Sequence, residues 1–314
     1  MNSKHMLAML CAAAVGSGVY AAESTAEAEE APQGWNYEAG SGISYGETSI
    51  VTAEFGLAFD SKFLSYGLVD NNDPILTPSA SITFFDWLSF GVESIFDMTP
   101  YGRKKVLNED GEYEELYANR GGKYQELDPS VSIGHSFSPE DYEWLPTTIE
   151  FSLGYGYEYH PRSYSVGQDD TQFITFDLSL PDLWFEPTLS YERDIDRDNG
   201  TYVHLEIGHT FEITDELSIR PAIAQGLGNT QRVRGYLNKH GENEPLDHGG
   251  LMDTCIKIEA EYALTDWLTL GGYVAYSDYI FDRKMRDSAR DYEASGDWDN
   301  SYNFVCGLSV TATF

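Results

Sequence analysis

Basic residues are scarce in this chain: 19 Lys and Arg stand against 52 Asp and Glu, a formal charge of −33. Such a surface repels polyanions, so DNA and RNA are excluded as partners first. Cysteine is scarcer still. Cys11, Cys255 and Cys306 form no Cys-x-x-Cys pair and sit at no metal-ligand spacing with histidine, which leaves zinc, redox chemistry and any cofactor without a sequence basis. Past the first residues no long uncharged apolar run occurs, and that excludes a helical membrane protein. It does not exclude a membrane barrel, whose alternating strands vanish in hydropathy averages. What the chain has in plenty is aromatic side chains, 14% of it with 22 Tyr, beside 41% hydrophobic residues, so an acidic disordered chain is excluded too.

The first residues read as an address. Lys4 and His5 precede the apolar stretch Met6 to Val15, and Val19-Tyr20-Ala21-Ala22 supplies small residues for cleavage, the pattern of a secretory signal over residues 1–22. Cys11 lies within the apolar run and is expected to leave with it. Residues 23–46, acidic and Ala-rich at their start, are expected to form a flexible periplasmic leader. The remainder, 47–314, is expected to be one domain.

That domain alternates apolar and polar residues with period two and nowhere sustains a period of 3.6, so an all-β fold is expected. Val51, Ala53, Phe55, Leu57 and Phe59 share one strand face while Thr52, Glu54, Gly56 and Ala58 share the other; Phe151, Leu153, Tyr155 and Tyr157 repeat the split, as do Val203, Leu205 and Ile207. Asp86-Trp87-Leu88, Asp215-Glu216-Leu217 and Asp266-Trp267-Leu268 each place an Asp turn before a strand. Tight turns near Asp86, Pro181-Asp182, Thr214-Asp215 and Thr265-Asp266 alternate with long charged loops over 100–124, 228–250 and 282–300. Short turns at one end and long loops at the other predict a transmembrane antiparallel up-and-down β-barrel. Strands are expected near 50–66, 75–84, 88–99, 125–137, 147–159, 170–180, 184–194, 201–212, 216–227, 251–263, 267–281 and 301–314, about twelve. An apolar-x-Pro-x-apolar pattern recurs at Pro78, Pro129, Pro187 and Pro221, near strand starts, although proline lacks the ladder donor.

The final stretch alternates Tyr302, Phe304, Leu308, Val310 and Ala312 with small polar residues and stops on Phe314. A last strand with a terminal aromatic resembles the signal read by the bacterial outer-membrane assembly machinery. Asp60-Ser61-Lys62-Phe63-Leu64-Ser65-Tyr66-Gly67-Leu68-Val69, with Asp73-Pro74 and Pro78-Ser79, resembles the first hairpin of the TorF-type porins of Gram-negative bacteria, with Tyr66-Gly67 in place of the usual Arg-Gly. The resemblance implies a barrel of about twelve strands, passive transport, and no catalytic residues to carry over.

Lipid cannot hydrogen-bond a carboxylate, so the apolar series is expected to face the bilayer and the acidic series the lumen. Parity then places Glu54, Glu93, Asp97, Asp128, Glu150, Asp177, Glu186, Glu206, Glu259 and Glu261 inward, against Arg220, Lys257 and His204. A net acidic lumen favours cations. Equally, these groups could pair and plug a narrow barrel, since about twelve strands lie between the solid and the porous sizes. Trp87, Trp144, Trp184 and Trp267 are expected at the membrane boundary near the tight turns, and Tyr155, Tyr157, Tyr159, Tyr191, Tyr276 and Tyr279 at the other boundary.

Catalytic patterns are thin. No His has a Ser two residues on, as a strand-borne base and nucleophile would require. Asp97, Asp169, Asp170 and His160 could gather at the loop end as a protease site would. Asp194, Asp196 and Asp198 alternate like the opening of a calcium loop, yet Asn199 occupies the place of its sharp-turn Gly, and an Asn-Gly turn explains the segment better. Cys255 and Cys306 fall on opposite faces, two strands apart, and are expected to be free thiols. The reading is an outer-membrane porin-like channel for small hydrophilic solutes, cation-preferring; a surface-adhesion barrel with a plugged lumen is the alternative, and a barrel enzyme the third.

Overall fold

A computed structural model describes residues 34–45, 48–98, 102–107, 113–118, 123–160, 170–237, 246–290 and 301–314. The expected signal segment, 1–22, lies outside them. Twelve antiparallel strands form a closed ring: β1 (Thr48–Asp60), β2 (Ile75–Phe84), β3 (Leu88–Asp97), β4 (Lys123–Phe137), β5 (Ile149–Glu158) and β6 (Thr171–Ser179), then β7 (Thr188–Asp194), β8 (Thr201–Gly208), β9 (Leu217–Gly228), β10 (Gly250–Thr265), β11 (Leu268–Asp278) and β12 (Tyr302–Thr313). Each pairs with its sequence neighbours, and the ring closes where β12 meets β1, from Gly307 opposite Asp60 to Thr313 opposite Glu54. Phe314 continues the seam by exchanging backbone bonds of 2.8 and 2.7 Å with Ala53, its ring 6.1 Å from that of Phe55 and 5.8 Å from that of Trp267.

The period-two pattern becomes the two faces of the wall. Phe55, Leu57, Phe90, Leu153, Leu205, Ile223, Ile256, Val274 and Leu308 are all exposed on the outside. A belt of that size cannot face water at this scale, and it makes the barrel a membrane-spanning one. The prolines sit on this outer face: Pro78, Pro129 and Pro221 are inside β2, β4 and β9. The β2–β3 ladder, continuous at Leu76 opposite Phe96 and again at Ser79 opposite Glu93, lapses at Thr77 and Pro78 between them. A missing donor is therefore accommodated by a local gap rather than by a sheet edge.

Turn chemistry matches the expected short end. Between β2 and β3, Phe85 and Asp86 both take positive φ (55° and 60°), and the Trp87 N–H donates to Phe84 O, the type I′ reversal that suits a twisted hairpin.

Three expectations require correction. The first strand, expected to run to residue 66, stops at Asp60, and the chain turns inward as a small hairpin, Phe63–Ser65 with Leu68–Asn71. The leader expected over 23–46 is ordered from Trp35 to Tyr45: two short strands, Trp35–Glu38 and Gly42–Tyr45, pair with each other and extend the sheet at the start of β1. The long loops after β9 and β11 carry helices, α1 (Thr230–Leu237) and α2 (Arg283–Arg290), where only polar loops were expected.

Candidate functional site

The interior has two unlike walls and a cap. On the first wall, Arg220 of β9 reaches across three neighbours: its guanidinium lies 3.0 Å from Glu186, 2.6 Å from Glu206 and 3.0 Å from Glu259. Lys257 of β10 lies 3.0 Å from Glu206 and 3.1 Å from Glu259. Inward parity puts these residues at facing positions of β8, β9 and β10, while Glu186 enters from the turn before β7, its backbone at a φ of 40°. Gly208 leaves room for the arrangement, because a Cβ there would lie 2.7 Å from the Arg220 guanidinium carbon. Five of the thirteen residues expected along the lumen thus form one ion-pair lattice, with three carboxylates on two cations, while His204 and Asp128 are buried on β8 and on β4.

The other expected residues stand apart from it. Glu54 is on β1, Glu93 and Asp97 on β3, Glu150 on β5, Asp177 on β6, and Glu261 near the tight-turn end of β10. Among them Glu93 and Asp97 are buried, Glu150, Asp177 and Glu261 half-buried and Glu54 exposed, all on the face opposite the exposed apolar series. Ser179 donates to Glu150 and Ser152 to Asp177, each at 2.9 Å. Around these acids the inward positions are small: Ser79, Ser81, Gly91, Ser130, Ser132 and Gly134 keep partial accessibility, so the interior here is not filled by side chains. The Ser and Gly alternate across strands closely enough that a Cβ on Gly56 would lie 2.4 Å from Ser79 Oγ.

At the loop end the inner hairpin packs together with α1 and α2. Leu68, Val233, Tyr236, Leu237, Met252, Tyr279 and Met285 form one buried apolar cluster with Tyr66 and Tyr202. At its centre Arg232, fully buried, donates to Glu192 of β7 at 2.8 Å and to the Tyr66 hydroxyl at 3.1 Å, lies 3.5 Å from Asp198, and stacks 4.7 Å from the Tyr66 ring centroid. The hairpin tip touches the adjoining wall of β10 to β12. Tyr279 donates to Tyr66 O, Asn303 donates to Gly67 O at 3.2 Å, and Gly67 at a φ of +82° sits where a Cβ would be 2.4 Å from Asp253 Cβ. Both helices are capped by side chains, as helix N-termini demand. Asn229 accepts the Arg232 N–H at 2.9 Å; Asp282 accepts the Lys284 and Met285 N–H groups at 2.9 and 3.0 Å. Partial burial opposes the charge on Asp282, but the Met285 N–H and His248, 2.8 Å away, outweigh it and hold the carboxyl below its usual value.

Tyr279, expected in the outer aromatic girdle, is instead buried in this cap, whereas Tyr155, Tyr159 and Tyr276 are exposed on the outside. Of the possible protease group, Asp169 lies outside the described residues, and Asp170 is occupied by the His160 backbone N–H and the Tyr157 hydroxyl, both at 2.9 Å. The suspected calcium loop is an Asx turn: Asp194 accepts the Asp196 and Arg197 N–H groups at 2.9 Å, and Asn199 takes a φ of 51°. Cys255 is buried on the inner face, Cys306 exposed on the outer, and both are free. Tyr66, Glu192, Arg232, Glu126 and Glu158 are the interior residues that the sequence reading did not single out.

No protein-family model matches the chain, and no curated protein sequence does. Among solved structures, it is similar to an outer membrane channel from Pseudomonas putida F1 (8% identity, TM-score 0.46, covering 84% of this chain and 96% of that one). It is also similar to the KdgM porin (7%, 0.44, 84% and 99%) and the NanC porin (11%, 0.41, 83% and 98%).

Proposed function

We propose that this chain is a bacterial outer-membrane porin-like channel for the passive diffusion of small hydrophilic solutes, and that the conformation described is its closed state. The observation that carries the reading is the partly accessible wall of Ser, Gly and carboxylates, a polar surface of the kind a structural plug would have no reason to leave unfilled. Because Arg220 and Lys257 are already matched by three carboxylates, the charge left facing the space is that of Glu54, Glu150, Asp177 and Glu261, and the channel prefers cations.

The cap supports a second reading, a plugged barrel whose long loops bind at the cell surface. Current across a planar bilayer separates the two. A channel gives discrete openings with a reversal potential on the cation side in a gradient around 0.1 M salt, where the Debye length is about 10 Å, and weaker preference near 1 M, where it is about 3 Å. Anion preference at low salt refutes the acidic-lumen argument. Closed traces from folded protein favour the plugged barrel.

A further inference from the structure

At the loop end of the wall made by β4 and β5, two carboxylates and an imidazole converge on one point. Leu127 and Tyr159 exchange backbone bonds of 2.9 Å in both directions, which extends the ladder past the end of β5. This bridge sets Glu126 directly opposite His160. Glu158, two residues before His160 on an extended chain, points to the same face. All three side chains are essentially buried, with relative exposures of 4% for Glu126, 4% for His160 and 0% for Glu158. Asp170 fixes the segment from behind by accepting the His160 backbone N–H.

The distances discriminate between two uses of such a trio. His160 Nε2 lies 3.3 Å from Glu126 Oε2 and 3.3 Å from Glu158 Oε1, and one oxygen or nitrogen from each of the three residues falls within 4.8 Å of the others. A charge-assisted N–H···O bond contracts to about 2.7–2.9 Å along one direction. Nε2 instead sits equally far from both carboxylates, longer than such a bond to either. Ligands about 2.0–2.1 Å from a common ion at tetrahedral angles are, by trigonometry, roughly 3.3–3.4 Å apart. The two distances from Nε2 match that ligand spacing, and the two carboxylate oxygens lie within 4.8 Å of each other, near enough to share one ion. Arg197 is close enough to Glu158 to interact with it.

We propose that Glu126, Glu158 and His160 form a binding site for one divalent first-row transition-metal ion. An imidazole nitrogen beside two carboxylate oxygens suits zinc, manganese or iron(II) better than magnesium or calcium, which take oxygen ligands alone. The ion replaces the proton that the imidazole would otherwise share with the carboxylates, and it ties the loop-end margins of β4 and β5 together. The site does not depend on whether the interior conducts.

The test uses the full mature barrel, folded in detergent and stripped with chelator, with Zn²⁺ as the probe. Calorimetry is expected to give one saturable equivalent, and X-ray absorption at the zinc edge a shell of oxygens with one imidazole nitrogen. Glu126→Gln, Glu158→Gln and His160→Gln, each checked for folding by heat-dependent gel mobility, are expected to weaken binding at least tenfold. Absence of saturable binding at micromolar zinc, a shell without imidazole, or undiminished binding in folded His160→Gln protein overturns the proposal. The absorption measurement is made on the unaltered protein, so it decides the matter even where a variant does not fold.

Discussion

Arg232 is the lever on the closed state. Its guanidinium is fully buried between Glu192, Tyr66 and Asp198, and it is carried by α1 while Glu192 belongs to the barrel wall, so this contact joins cap to wall. Arg232→Met keeps most of the side-chain volume and removes the charge, leaving the Glu192 carboxylate, 1% exposed, with the Tyr66 hydroxyl but without this cation. Breaking one side of a buried pair costs about 3–5 kcal/mol. In an open state Glu192 is hydrated, so the cost falls on the closed state alone. At about 1.4 kcal/mol per factor of ten, the open-to-closed ratio is expected to rise roughly 150- to 5,000-fold. Single-channel recording reads this directly as open probability. Adding Glu192→Gln removes that negative charge, and the double variant is expected to return most of the way to the unaltered channel. Records of Arg232→Met indistinguishable from the unaltered protein, or a double variant as open as the single one, refute the reasoning.

Other consequences are simpler to check. The unreduced, denatured and alkylated protein is expected to carry alkyl groups on both Cys255 and Cys306, and a crosslink between them would contradict a register in which β11 separates their strands. Asp282→Ala removes the cap of α2 at a cost of about 1 kcal/mol, so the Met285 and Arg286 amides are expected to exchange about fivefold faster while the strands are unaffected. Because the folded carboxyl of Asp282 is held below 3.8, its contribution is complete above that value and is lost as pH falls through the lower folded one; equal acid sensitivity of α2 with and without Asp282 would count against the cap. Ile256→Arg, at an exposed position of the outer belt, is expected to destabilise the barrel by about 2–4 kcal/mol in bilayer-refolding titrations, and a neutral result would mean that this face does not meet lipid.

Strand positions were legible because a wall with lipid on one side and polar contents on the other allows only one parity for each residue. Glu54 beside Phe55 and Lys257 beside Ile256 declare their faces without any structure. The inner hairpin was not read, although it carried a signal: Phe63, Leu64, Tyr66, Leu68 and Val69 are apolar at both parities, which fits an element surrounded by protein on both sides and not a membrane strand. In α1, Val233, Tyr236 and Leu237 follow helical spacing, but a helix of eight residues is too short for a periodicity search to detect against a polar background. The Glu158-x-His160 pair was readable as two groups on one face of a strand. Its partner Glu126 was not, since the offset between those strands is fixed by the β4–β5 ladder and its continuation at Leu127 and Tyr159, which the sequence alone does not display.

The β12–β1 seam brings together the two barrel strands most distant in the chain. Every other junction can zip as a local hairpin, while this one closes a loop of nearly the whole domain, at an entropic cost of roughly 5 kcal/mol beyond the constant term. Until the seam forms, the folding intermediate is an open sheet whose two free edges, β1 and β12, present unpaired N–H and C=O groups in matching register. Such edges recruit any extended chain, including a second copy of the same sheet. Whatever escorts this barrel into a membrane must therefore shield both edges and release them onto each other, and the bonds between Phe314 and Ala53 are the outermost rung it has to hand over.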